Sequence, residues 1–268
     1  MIKMMKTTPL FISILCAMAL QAQELREFND DFKTNSLEQW KSFHQQEGWP
    51  SFVKEIHVNK DYPGIFYLEP EVGFWYGEIH AGPYYFKELP KGDFTVVTKV
   101  KVEGRNTATP TRPFSLAGLM LRAKRPAHVA KTDTGHENWL FMSTGYTKGK
   151  NRPQFETKVT INGKSKLKIY PATAGWVELG IMKRGSTFTL AHKKDGIWTV
   201  VRSVENDQMD KELQVGFIAY TDFNRKMKRR YLFNRGRLNQ EVFKDGQPDV
   251  KASFDYITFY DTEELSFE

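Results

Sequence analysis

GDFTVVTKVKVEG, residues 92–104, and SLAGLMLRA, residues 115–123, decide the fold. In the first stretch Phe94, Val96, Thr98, Val100 and Val102 share one side, and Thr95, Val97, Lys99 and Lys101 share the other. A period of two marks a strand with one face in a core and one facing out. The second stretch is apolar at almost every position and contains Gly118. It reads as a central strand covered on both faces. Together they predict the middle of an all-β fold, a two-sheet antiparallel β-sandwich.

The flanking sequence extends the pattern. On the N-terminal side, residues 23–32 (QELREFNDDF) predict an edge strand, with Leu37 and Trp40 anchoring the next turn. Residues 51–58, 64–68 and 84–86 predict short strands. Residues 69–83 (EPEVGFWYGEIHAGP) predict a loop or broken strand beside a surface groove. On the C-terminal side, ENWLFMSTG (137–145) predicts a strand, and 155–161 alternates before a tight Asn162-Gly163 hairpin. Further hairpins turn at Arg184-Gly185 and Asp195-Gly196. LQVGFIAYT (213–221) predicts a buried strand, and SFDYITFY (253–260) closes the sheet with strict alternation. Roughly twelve to fourteen strands with no long helix indicate a sandwich or barrel. Residues 223–250 are long for a loop and predict at most a helical turn around Tyr231–Phe233. With no linker or repeat, residues 23–268 predict a single β-sandwich domain carrying a basic insertion at about 223–250.

Residues 1–22 predict a secretory signal peptide. Lys3 and Lys6 precede an apolar run from Pro9 to Leu20, and Ala22 offers a small residue at the cut. The run is short for a membrane span. Cys16 lies inside it, but Leu15 is not the small residue a lipid-attachment site requires, so simple cleavage is the expectation. A periplasmic or secreted chain then follows, without cysteine, disulfide or thiol chemistry. Its core must hold without staples, and an aromatic content of 14% suits that task. Net charge is +7, falling to +5 without Lys3 and Lys6, which selects no partner by itself.

The ordered set DDF with Trp40, GPYYF before GDFTVVTKV, AGLMLRA, ENWLF, the Asn-Gly hairpin, GWVELGIMKRGSTFTLAHKKDGIW, VGFIAY and FDYITFY resembles a known group. These are the concanavalin A-like, laminin-G-like jelly rolls of bacterial secreted proteins, including modules attached to glycoside hydrolases. The resemblance spans about Phe28 to Tyr260. It implies a jelly roll with one concave sheet, in a group whose members bind glycans and whose relatives in some cases cleave them. Fold alone does not choose between those activities.

Site candidates follow from chemistry. Glycosidases need two carboxylates about 5–10 Å apart. The Glu-x-Asp-x-x-Glu run of jelly-roll glucanases is absent, which leaves Glu69, Glu71, Glu137 and Glu156 as weak catalytic candidates. Glu69 and Glu71 flank Pro70 and read as loop acids. On residues 155–161, Phe155, Val159 and Ile161 point inward, so Glu156, Lys158 and Thr160 face the other way. With Arg122, Trp139 and Tyr220 they would line a polar groove, in which rings stack on sugars and charged forks grip hydroxyls. The plainer alternative is an Arg122–Glu156 cross-strand pair. Trp75, Trp49 and Tyr146 read as exposed stacking platforms, and Trp176 and Trp198 as core.

Arg225, Lys226, Lys228, Arg229 and Arg230, continued by Arg235 and Arg237, form a basic run suited to a polyanionic glycan or to plain solvation. Export makes nucleic acid an unexpected partner. His136 and His192 are isolated, and no His-x-x-x-His or carboxylate–His spacing indicates zinc. From the resemblance, Asp30 or Asp31 with Asp255 or Asp261 would hold a structural calcium ion; otherwise no cofactor is expected. Three functions remain open: glycan binding beside polysaccharide-degrading enzymes, a glycoside hydrolase or polysaccharide lyase, and a surface protein without a small ligand.

Overall fold

The computed structural model describes residues 23–149 and 152–267. The expected signal peptide and Cys16 lie outside the described residues. The chain forms two seven-stranded antiparallel sheets and a separate two-stranded hairpin.

The first strands in chain order are β1 (Lys41–Ser42), β2 (Val53–Val58), β3 (Phe66–Pro70), β4 (Phe74–Tyr76), β5 (Ile79–Ala81) and β6 (Tyr84–Leu89). The opening stretches become β7 (Phe94–Glu103) and β8 (Ser115–Ala123). Then follow β9 (Trp139–Tyr146), β10 (Gln154–Ile161), β11 (Lys164–Pro171), β12 (Trp176–Arg184), β13 (Thr187–Lys194) and β14 (Ile197–Glu205). β15 (Leu213–Tyr220) and β16 (Lys251–Tyr260) complete the set. Sheet I runs β1-β6-β15-β8-β9-β10-β11, and sheet II runs β14-β13-β12-β7-β16-β3-β2. β8 and β7 sit at or near the centres of their sheets, as the two opening stretches predict. Two short helices, α1 (Phe43–Glu47) and α2 (Arg225–Phe233), stand outside the sheets.

The main core lies between the sheets. Sheet I contributes Leu119, Leu121, Leu140, Met142 and Phe217, and sheet II contributes Val96, Val100, Leu179, Ile181 and Phe254. Both faces of β8 are buried, because the outer face of sheet I carries a second core. There Leu116, Met120, Trp139, Phe141 and Tyr220 are covered by Phe43 from α1, Phe74 and Trp75 from the β4–β5 hairpin, and Met227 from α2. Burial of that face stabilises the covering pieces, at about 25 cal/mol per Å² of apolar surface. Gly118 allows β8 and β9 to approach here, since a Cβ would stand 2.6 Å from Ser143 Cα.

The structure differs from the sequence reading in four local places. Residues 23–26 are helical, and only Asp30 joins a sheet, by an isolated bridge to Ile257. Glu69 belongs to β3 rather than to a loop. β16 does not alternate strictly, since a bulge between Phe254 and Tyr256 shifts the parity and lets Ala252, Phe254, Ile257 and Phe259 all face the core. The basic segment holds a helix from Arg225 to Phe233, started by Asn224, whose side chain accepts from Met227 N at 3.0 Å. Asn162 and Gly163 have φ of 47° and 74°, the geometry expected of their tight hairpin.

Candidate functional site

β10 places Phe155 and Val159 in the main core and Glu156 and Lys158 on the outer face of sheet I. Tyr220 reaches the same spot from β15, across a row kept low by Gly118 and Ser143. The three side chains meet. Lys158 Nζ lies 3.0 Å from Glu156 Oε1, donates to Tyr220 Oη at 3.3 Å and donates to the Trp75 carbonyl at 2.9 Å. Tyr220 in turn donates to Glu156 Oε1 at 3.0 Å. Glu156 Oε2 is buried and accepts no hydrogen bond from any described residue. Buried polar atoms are satisfied as a rule, so this oxygen marks the cluster as unfinished.

Above the cluster lies a cavity of about 260 Å³ with Lys158 and Tyr220 on its floor. Its walls are rings in sequence contact: Phe114 to Phe223 at 6.0 Å, Phe223 to Phe74 at 4.5 Å, and Phe74 to Tyr231 at 5.6 Å. Tyr76 continues the row from Tyr231 at 6.2 Å. Lys228 and Leu232 of α2 form the rim, with Leu167 of β11 opposite. No carboxylate lines the cavity among the described residues.

Burial shifts two of the three groups. Burial pushes the Lys158 ammonium below the ordinary lysine range, and Glu156 opposes that shift. Burial raises Tyr220 well above the usual phenol range, and the neighbouring Glu156 charge raises it further. Tyr220 therefore keeps its proton at neutral pH, which makes it a hydrogen-bond donor and a poor resting base. An apolar ring-walled pocket over a few convergent polar groups is the usual form of a small-ligand site.

The other sequence candidates lie elsewhere. Arg122 does not pair with Glu156 and does not enter a groove; it is 1% exposed and grips Glu137 through Nε at 2.9 Å and Nη2 at 2.7 Å. Its Nη1 donates to Gln214 at 2.8 Å, and Phe43 packs on the guanidinium. Arg125 joins Glu137 to Glu47, at 3.2 Å to each. His80 Nε2 faces Glu137 Oε2 at 3.3 Å. Burial would raise the Glu137 carboxyl, but Arg122 and then His80 hold it well below its usual range. This second cluster is closed over by α1 and the hairpin.

Trp139 and Trp75 are fully buried rather than groove-lining or exposed. Their indole N–H groups donate to Gly77 O at 3.2 Å and Gly82 O at 2.8 Å. The reason is shared: the hairpin lies on the face that was expected to be open. Tyr146 is buried at the end of β9 and donates to Gly149 O at 2.8 Å. Trp49 is half-buried and stacks on His80, whereas Trp176, read as core, is 40% exposed. Glu69 is buried on sheet II with Lys54 and Tyr67, and Glu71 pairs with Lys244 at 3.1 Å. Each of the four candidate acids is thus engaged by its own cation.

Arg225, Lys226, Lys228 and Arg229 are exposed on α2, while Arg230 pairs with Glu241 and packs on Phe243. Asp30 accepts from Trp40 Nε1 at 3.0 Å, Asp31 holds Lys33 at 2.7 Å, and Asp255 holds Lys99 at 2.8 Å. Among the described residues, the ligand-type side chains within reach of one ion are Glu55, His57 and Asp61, not these aspartates. Sequence reading missed the cavity walls. Phe74 and Tyr76, two apart around Trp75, carried the signal, as did the aromatic residues Phe223 and Tyr231 flanking a basic run.

No family model and no curated protein matches the chain. Solved structures do. A functionally unknown protein from Saccharomyces cerevisiae is 16% identical with a TM-score of 0.55, over 84% of this chain and 97% of that one. The GH43 BlXynB protein from Bacillus licheniformis is 14% identical with a TM-score of 0.56, over 88% of this chain and only 39% of that one. Basic winged bean lectin, solved with Tn-antigen, is 12% identical with a TM-score of 0.52, over 87% of this chain and 96% of that one. At these identities the likeness is one of fold: the chain is an antiparallel two-sheet β-sandwich of jelly-roll form. No helix among the described residues is long and apolar enough to cross a membrane.

Proposed function

We propose that the protein is an exported glycan-binding jelly roll that takes a sugar residue into the ring-walled cavity over Lys158 and Tyr220. The observation that carries this reading is the row of aromatic walls around a cavity whose floor includes the polar side chains Lys158 and Tyr220. Aromatic faces stack on the C–H faces of sugar rings, and the remaining lone pair of Tyr220 Oη would accept from a hydroxyl at the floor, the Lys158 donors being committed to Glu156, Tyr220 and the Trp75 carbonyl. The cavity volume lies near the lower end for small-ligand sites, which suits one saccharide unit with the rest of the glycan outside. The exposed basic face of α2 beside the rim favours an acidic chain. Two likenesses support the reading: a lectin over nearly its whole length, and part of a GH43 protein, as for a module working beside a polysaccharide-degrading enzyme. The signal peptide expected at residues 1–22 supports export to the periplasm or beyond.

Hydrolysis fits the site less well, because the cavity lining offers no pair of carboxylates. Elimination by a lyase needs a base, and Tyr220 is held protonated. An array of neutral and acidic oligosaccharides tests the proposal. Wild type is expected to bind a defined subset, and Tyr231→Ala to bind the same subset several-fold more weakly while keeping the native fold. Silence of wild type across the array would remove the reading, and new reducing ends released from a bound glycan would replace it with the hydrolase.

A further inference from the structure

A different site lies on the outer face of sheet II, where the sequence reading expected no carboxylate–histidine grouping. His57 of β2 is 7% exposed, yet neither of its ring nitrogens makes a hydrogen bond among the described residues. Its Nε2 points between two exposed carboxylates, 3.4 Å from Asp61 Oδ2 and 3.8 Å from Glu55 Oε1. A buried imidazole without a hydrogen-bond partner, aimed at two acids, calls for something between them.

The arrangement is built. Glu55 and His57 are two apart on one strand, so they share a face. The ring is clamped by stacking, 4.8 Å from Tyr67 at 15° and 5.9 Å from Tyr62 at 25°. Asp61 is carried by a turn that Asn59 pins at both ends. The Asn59 side chain donates to Lys33 O at 2.6 Å and accepts from Gly64 N at 2.9 Å, while its backbone N–H donates to Ile65 O at 2.9 Å.

We infer that Glu55, His57 and Asp61 bind a divalent cation of the zinc type. Tetrahedral zinc with ligands at about 2.0–2.1 Å sets neighbouring ligand atoms about 3.3 Å apart. The two separations from His57 lie close to that edge, and all three ligand atoms lie within 4.8 Å of one another. Two carboxylates balance the 2+ charge. A nitrogen ligand and so few oxygens disfavour calcium and magnesium. Glu55 and Asp61 face solvent, which leaves a fourth position for water or a ligand oxygen. This site is independent of the cavity on sheet I.

The test titrates zinc into the untagged full chain in metal-free buffer, against a fluorescent zinc chelator. One equivalent is expected to transfer to wild type, and Asp61→Asn, a surface change, should weaken it about tenfold or more. His57→Ala should abolish it, whereas His136→Ala, at an exposed histidine elsewhere, should leave it unchanged. Zinc should also raise the melting temperature of wild type but not of Asp61→Asn. Failure of wild type to compete better than His57→Ala, or full binding by Asp61→Asn, would overturn the assignment.

Discussion

Two charged clusters are buried on the same face of sheet I, and they are built differently. Around Glu137, both carboxylate oxygens are taken by Arg122, and Arg125 joins one of them to Glu47. Around Glu156, one oxygen meets Lys158 and Tyr220, the other has no hydrogen-bond partner among the described residues, and a ring-walled cavity opens onto Lys158 and Tyr220. The cations differ too. Arg122 cannot shed its proton, whereas burial already pushes Lys158 toward losing one. One cluster ties the covering pieces to the sheet. The other keeps hydrogen-bonding capacity in reserve.

The largest expected effect comes from the closed cluster. Glu137→Gln leaves Arg122 charged and short of a counter-ion, and should cost about 3–5 kcal/mol in chemical denaturation. Next comes acid. Burial lowers His44, on α1 beside this cluster, from 6.5 to about 4, partly offset by its hydrogen bond to the His80 carbonyl. Between those values the unfolded chain takes up a proton that the folded chain refuses. Stability should therefore fall as pH drops through that window, by about 3 kcal/mol. Replacing His44 by Gln should flatten the profile, which denaturation at several pH values would read.

Smaller effects are expected at the open cluster. Glu156→Gln should cost only about 1–2 kcal/mol, since Lys158 can neutralise itself. A loss equal to that of Glu137→Gln would erase the distinction between the clusters. Tyr231→Ala should weaken glycan binding about fivefold, by calorimetric titration, through loss of one stacking wall worth about 1 kcal/mol. Smallest is Lys228→Ala at the rim, expected to change affinity for an acidic glycan about twofold and to reduce its salt dependence.

The sandwich was legible because its strands obey local rules. Alternation along residues 94–102, the apolar run 115–123 and the Asn162-Gly163 turn each report their own backbone. The facing of Glu156 and Lys158 followed from the same parity. What covers that face was not legible. The hairpin around Trp75, α1 and α2 arrive from distant parts of the chain, so Trp75 and Trp139 read as available when they are sealed. The partner of Arg122 is a matter of register. Arg122 stands opposite Trp139, which brings Glu137, two residues earlier, within reach and leaves Glu156 to Tyr220. The bulge in β16 escaped for a related reason, since an inserted residue changes parity without any compositional mark.

The most direct measurement is a crystal structure of the protein with its best-binding oligosaccharide. A sugar ring is expected between Phe74, Phe223 and Tyr231, with a hydroxyl on Tyr220 Oη. Density for the glycan at Trp176 and Tyr62 on sheet II, with the cavity on sheet I left empty, would contradict it.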